Sequence, residues 1–490
     1  MRPVSSISVV ALGLIYLAAC NVGPSGGGGS SEMRPEGTCD PDAPACAEGQ
    51  ACELVVDGDP QCATPVVLRG VVVVLGDETP VEGALVQAVD ANGTAVGTTG
   101  ISASDGTYSL VVPAVRDAEG SPVEGVYTLR VQAAEYQEFP TAIRPALPLD
   151  VASAEFQDEG WVIESALTTI GLIRIPGDTS GLGSISGTVQ AELNAGALVV
   201  ASDDEDAFTG FSDSQGDYVI FNVPSGSYMV QGYLAGIQLE AAIASVEEGE
   251  DVSGMDLLQL SHPLNTVSGN VQIVNAPGDA VTSVVLCVES TFDDVTGRGK
   301  VPPGLRVGSV SGAFSISDVP DGRYVVLAAF ENDDLVRDPD QTIGGTEIVR
   351  IELPDPALGN DVDLPEGFKV TEALSVTRPG ADGPEQVANS TPTLEWEDDS
   401  SEDGYEIRVF DAFGNLVWED EIGPTTGSAT VTHPYAGPSL QAGMFYQFRV
   451  TSFRARSGVR TAISAIEDLK GVFFYLDTEA SSGETKQQPQ

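Results

Sequence analysis

The chain has 490 residues, of which 22 are Lys or Arg and 73 are Asp or Glu, giving a formal net charge of −51 at pH 7. That balance excludes nucleic-acid binding, which needs cations against phosphate, and disfavours adsorption to anionic lipid headgroups. Apolar residues make up 42%, and 55 Gly and 31 Pro accompany short apolar runs without long helical periodicity, so the length is expected to hold several small all-β domains.

Residues 1–19 read as an export signal, with Arg2 before an apolar run from Val9 to Leu17 and then small residues. The run is too short for a comfortable membrane helix. The sequence Leu17-Ala18-Ala19-Cys20 resembles the bacterial lipoprotein box. The resemblance implies cleavage before Cys20, lipidation of its sulfur and acylation of the new amino terminus. An ordinary signal peptide with an incidental cysteine is the alternative. Asn21, where aspartate would signal inner-membrane retention in enteric bacteria, points to a Gram-negative outer-membrane lipoprotein. Residues 20–38 then form a Gly/Ser-rich, flexible tether.

Residues 39–65 hold Cys39, Cys46, Cys52 and Cys62. An even cluster in an exported chain predicts two disulfides, with all three pairings open. Zinc is a poor fit, because the segment has no C-x-x-C pair and no histidine.

Next comes a repeated stretch. Gly216-Asp217-Tyr218-Val219-Ile220-Phe221-Asn222-Val223-Pro224-Ser225-Gly226-Ser227-Tyr228 recurs in register as Gly312 to Tyr324, and an imperfect copy starts at Gly106-Thr107-Tyr108. The pattern predicts a turn glycine, a short strand ended by Val-Pro, a second turn and a strand opening on tyrosine. Each copy follows a G-x-V strand at Gly70, Gly187 or Gly269. These units resemble the carboxypeptidase regulatory-like family of transthyretin-like β-sandwiches. The resemblance implies an accessory module, not a peptidase, and a broader carbohydrate-binding-like fold. It predicts sandwiches at 66–176, 183–264 and 265–370. The first copy is expected to lack the second turn glycine and to carry a polar loop at Arg116–Glu124. The acidic stretch Asp203-Asp204-Glu205-Asp206 is the best cation candidate, although a solvated loop is the plainer expectation. Cys287 is expected as a buried, inert thiol in a strand.

From 371 to 477 the pattern changes. Trp396, and Leu440, Gly443 and Tyr446 spaced as L-x-x-G-x-x-Y, resemble the core tryptophan and tyrosine corner of a fibronectin type III domain. Residues 478–490 form a polar tail, expected to be disordered.

The two histidines, His262 and His433, fall in different modules, and no H-E-x-x-H, G-x-S-x-G or P-loop motif is present. The fold class is therefore all-β, a tandem array of about four small antiparallel sandwiches behind a tether and a disulfide-rich segment. The expected function is non-enzymatic: a lipid-anchored envelope rod displaying its modules for structural or adhesive interaction. No catalytic residue, metal or cofactor is expected, and the partner is left open between a protein and a glycan. Two alternatives remain: a carbohydrate-binding surface protein, and an accessory subunit of an envelope peptidase or transporter. A tryptophan-based glycan site would be excluded if Trp161, Trp396 and Trp418 were all buried.

Overall fold

The computed structural model describes residues 38–475 apart from 41–45, 48, 91–92, 142–143, 145, 158–159, 176, 295–296, 331–332, 400, 412–414, 426–428, 443 and 469. The export signal, Cys20, nearly all of the tether and the polar tail lie outside the described residues, as do Asn92 and Gly443. The described residues form strands and three single-turn 3-10 segments, with no α-helix among them. They build four β-sandwiches that follow one another along the chain, so the all-β expectation holds.

The first three sandwiches share one plan. One sheet is built around a long opening strand: Val66–Val74, Gly183–Gln190 or Asn265–Val274. Burial alternates along Val66–Val74, as a half-buried strand requires. The aromatic strand of the repeat pairs antiparallel with one edge of the opening strand. The other edge pairs in parallel with two separate short pieces. In the second sandwich these are Asp251–Val252 against Ser184 and Ile185, and Leu257–Leu260 against Val189 and Gln190. The first and third sandwiches repeat that broken parallel edge. The four-stranded sheet that closes each sandwich is antiparallel throughout.

The break explains the sequence signature. Gly70, Gly187 and Gly269 sit between the two parallel pieces and pair with Tyr108, Tyr218 and Phe314 across the antiparallel edge. A Cβ on Gly70 would lie 1.9 Å from the Thr168 carbonyl oxygen, and one on Gly187 would lie 2.2 Å from that of Met255. The Tyr108 hydroxyl donates to the same Thr168 oxygen at 2.8 Å, and Tyr218 donates likewise to Met255. Glycine admits the interrupted strand, and the tyrosine satisfies the carbonyl that the interruption strands. In the third sandwich Phe314 has no hydroxyl and its ring covers Gly269 instead.

The second tyrosine of the repeat also has one task. Tyr228 and Tyr324 donate across the turn to the carbonyls of Pro224 (3.1 Å) and Pro320 (2.9 Å). Tyr127 does the same to Pro113 at 2.9 Å, and Gly125 stands two residues before it at φ +148°. The first copy therefore keeps the G-x-Y, contrary to the expectation that its glycine is lost. The extra residues lie between Pro113 and Gly125. They are also not a plain loop: Val115–Arg116 and Pro122–Glu124 pair as a small hairpin.

The fourth sandwich packs a three-stranded sheet (Val376–Arg378, Thr393–Glu397, Thr430–Pro434) on a larger one built around Phe445–Arg456. Trp396 is fully buried in its core with Tyr405 and Phe448. The Tyr446 hydroxyl accepts from the Gln441 amide at 2.8 Å, the bond back to the backbone expected of a tyrosine corner.

Candidate functional site: module joints and an arginine-lined cleft

The cysteine-rich segment is a hairpin, Ala51–Glu53 against Gln61–Ala63, in which Cys52 and Cys62 stand opposite each other. They do not bond to one another. The disulfides are Cys39–Cys52 and Cys46–Cys62. Among the described residues, Cys39, Cys46 and Cys62 form the one cluster with metal-ligand proximity, and all three are consumed in these bonds. The insertion hairpin of the first sandwich holds the segment in place. Arg116 and Glu53 form an ion pair with both side chains almost fully buried. Burial pushes the Glu53 carboxyl up, against the pull of Arg116. Arg116 also donates to the Thr64 carbonyl at 2.7 Å, and its backbone pairs with Leu54 and Val56. A buried ion pair with further hydrogen bonds fixes a geometry more than it adds stability.

Successive sandwiches are joined at one recurring place. After each strand that opens on the second tyrosine, a residue adopts a left-handed conformation: Glu135 (φ +69°), Gly236 (φ +89°) and Asp334 (φ +64°). Each turns its backbone N–H onto the following sandwich. Glu135 donates to Asn222 Oδ1 at 2.6 Å, Gly236 to the Asp318 carbonyl at 2.8 Å, and Asp334 to Glu467 Oε1 at 2.8 Å. Asn222 and Asp318 occupy the same place in the repeat, just before Val-Pro, and both have positive φ. Asn222 also donates to the carbonyls of Ala133 (3.1 Å) and Tyr136 (2.9 Å). The repeat thus closes its own sandwich and docks the one before it.

The second and third sandwiches also share a core. Leu198, Val200, Phe211 and Tyr233 of the second cluster with Leu286, Tyr324 and Val326 of the third, and Tyr233 meets Tyr324 edge to face at 5.9 Å. Contacts skip along the chain as well. Lys300 of the third sandwich ion-pairs with Glu138 of the first, and the Arg144 guanidinium lies 5.0 Å from the Phe445 ring of the fourth. The expected rod is therefore corrected: the array folds back on itself, because these side chains bridge modules that are not neighbours in sequence.

A cleft of about 220 Å³ opens between the third and fourth sandwiches. Its walls include Phe292, Phe330, Val336, Ile348, Phe410 and Ile466, together with Arg337, Arg408, Arg449 and Asp468. Asp468 contacts Arg449 directly, and Arg298 Nη2 is 3.8 Å from the same oxygen. Arg298 lies against Phe330, and its Nε and Nη2 are buried with no hydrogen-bond partner among the described residues. Asp294 is taken up by Arg350, and Glu406 by Arg408. Burial holds Arg298 and Arg337 below the usual guanidinium range.

The candidates from sequence are dispersed. Asp203 accepts from the amides of Glu205 and Asp206 at 2.8 Å each, so this stretch is the turn between Leu198–Ser202 and Ala207–Phe211. The Cys287 thiol is fully buried and pushed up to about 12 by that burial. His262 is exposed; His433 stacks on Trp418 and meets Asp420 at 2.9 Å. Trp396 is buried, but Trp161 and Trp418 are only half-buried, so the condition for excluding a tryptophan-based glycan site is not met. Sequence reasoning missed the joints and the cleft. The joints left a faint mark, a polar residue before Val-Pro. The arginines left none, since they share no spacing.

No family model matches the chain, and no curated protein does. Among solved structures, a match to the Bacillus anthracis TIE protein covers 82% of this chain and 66% of that one, at 12% identity and a TM-score of 0.15. A streptococcal ancillary pilin matches over 62% of this chain and 98% of its own, at 12% identity and a TM-score of 0.16. A DUF3823 family protein from Bacteroides ovatus matches over 43% of this chain and 99% of its own, at 14% identity and a TM-score of 0.17. Likeness at this level says nothing of what the chain binds or builds.

Proposed function

We propose that the chain is a non-enzymatic cell-envelope protein, anchored in the outer membrane by lipid on Cys20 and carrying its sandwiches as a structural or adhesive head. In this reading, 66–176, 183–264 and 265–370 are carboxypeptidase regulatory-like modules and 371–477 is a fibronectin type III-like module. The carrying observation is the repeated joint, in which Glu135, Gly236 and Asp334 each commit a backbone donor to the next sandwich. Groups spent in this way build a body of set shape. The chemistry-bearing side chains fit the same reading, since Cys287 is sealed in the core and His433 is engaged with Asp420. Metabolic palmitate labelling tests the anchor. Wild-type protein should take up label and partition with membranes, and Cys20→Ala should lose both; a labelled, membrane-bound Cys20→Ala protein would sink the proposal.

A further inference from the structure

We propose that the strand Ala242–Val246, at the edge of the second sandwich, is a pairing site for an extended basic segment of a partner protein. A comparison of equivalent edges within the molecule carries the inference. In each of the first three sandwiches the strand that carries the second tyrosine is flanked by an outermost strand: Leu149–Asp150, Ala242–Val246 or Val349–Leu353. Free sheet edges invite foreign strands, and proteins guard them with charge, proline or short length. Two of these edges are guarded. Tyr228 pairs with Ala244 and Tyr324 with Ile351, so Arg350 of the third sandwich holds the place of Ile243. Tyr127 pairs with Leu149, so Pro148 of the first sandwich holds that place, and its strand is only 2 residues long. Ala242–Val246 has neither charge nor proline, its register is unbroken, and its outer side pairs with no strand among the described residues.

Ile243 is also the most exposed large apolar side chain among the described residues, at 76%, and it stands opposite Met229, at 50%. The pair continues an interface already in use. Met229, Gln231 and Tyr233 share one face of Gly226–Tyr233. Tyr233 clusters with the third sandwich, and Gln231 donates to the Asp321 carbonyl at 3.1 Å. Charge selects the occupant. No Lys or Arg lies between Arg174 and Arg298, whereas 183–264 holds 13 Asp and Glu, which have no cation of their own module to pair with, apart from His262 when it is protonated. The acidic turn at 203–206 and Glu247, Glu248 and Glu250 leave the sheet at the same end. A second copy would bring an equally anionic edge and is repelled. A segment with apolar residues to cover Ile243 and Met229, and Lys or Arg to meet the acids, fits both features, while main-chain hydrogen bonds to the free edge supply affinity.

Fluorescence anisotropy on the purified full-length chain tests this, with a labelled peptide of alternating threonine and valine that carries two lysines at each end. The peptide should bind saturably. Methylating its central backbone nitrogens removes the pairing donors but keeps the charge, and should weaken binding about tenfold. Ile243→Arg installs the residue that the third sandwich carries at that place, so it should fold normally and also weaken binding about tenfold. Glu247→Gln combined with Glu248→Gln should weaken it about threefold. Val459→Arg, at an apolar residue of the fourth sandwich that is 62% exposed, should change nothing. Absence of saturable binding would overturn the proposal. So would equal affinity for the methylated peptide, which would mean adsorption by charge alone, or unchanged affinity in Ile243→Arg. A wild-type dimer in sedimentation that Ile243→Arg dissolves would also overturn it, by giving the edge to a second copy. The inference rests on reading the sandwiches as an interaction head and not on the lipid at Cys20, so its failure and that of the palmitate test are distinct.

Discussion

At the junction of the second and third sandwiches, Gly236 donates to a backbone carbonyl and the two modules share one hydrophobic cluster. At the junction of the third and fourth, the equivalent donor, Asp334, meets the side-chain carboxylate of Glu467, and beside it lies an arginine-lined cleft. A carbonyl acceptor does not titrate, and a shared core leaves no room for a ligand. A carboxylate acceptor titrates, and a polar joint leaves space. The same backbone device therefore yields a fused joint in one place and a condition-sensitive one in the other.

The largest expected effect lies in the fused joint. Tyr324 is fully buried, touches Tyr233 and bonds the Pro320 carbonyl. Tyr324→Ala should cost about 3–5 kcal/mol in guanidinium denaturation and loosen the second and third sandwiches together. A loss below about 1 kcal/mol would mean that the cluster does not couple the two modules.

The polar joint should respond to pH. Burial, with Asp334 and Asp333 nearby, pushes the Glu467 carboxyl up to about 7, although the Asp334 amide and Lys470 oppose the shift. Its unfolded value is 4.5. The folded chain therefore binds the extra proton between those values, so stability falls as pH rises from about 4.5 to about 7 and is flat above. Hydrogen exchange at the Asp334 amide should be better protected at pH 5 than at pH 8, after correction for intrinsic rates. Glu467→Gln keeps an acceptor and should erase that difference while leaving the Gly236 amide unaffected. A pH response that persists in Glu467→Gln would assign the titration to another group.

The smallest effects probe the donor position itself. Gly236→Ala places a Cβ on a residue at φ +89° and should destabilise by about 1 kcal/mol. Asp334→Gly relaxes a non-glycine residue at φ +64° and should stabilise by a few tenths of a kcal/mol up to about 1 kcal/mol. Thermal melts of the two variants moving in the same direction would break the equivalence of the two joints.

Much of the architecture was legible because it rests on local chemistry. The recurring glycine, aromatic, Val-Pro and tyrosine marked strands and turns, and Trp396, Leu440 and Tyr446 marked the fourth core. Legibility stopped where a residue answers to another module. Gly125 was overlooked because an insertion moved it away from Pro113, although Tyr127 still reaches that carbonyl. Arg116 looked like part of a polar loop because Glu53, its partner, lies in the cysteine-rich segment.

The sequence by itself determined the β-class, the repeat, the pairing of four cysteines into two disulfides and the burial of Cys287, since each follows from residue type and near-neighbour spacing. Only the tertiary structure decided which cysteines bond, that the array folds back through Lys300–Glu138 and Arg144–Phe445, and that Arg298 and Arg449 converge on Asp468. The last two of those outcomes depend on the relative placement of whole modules. That placement is set by the sum of many weak interface contacts, for which no short stretch of chain carries a signature.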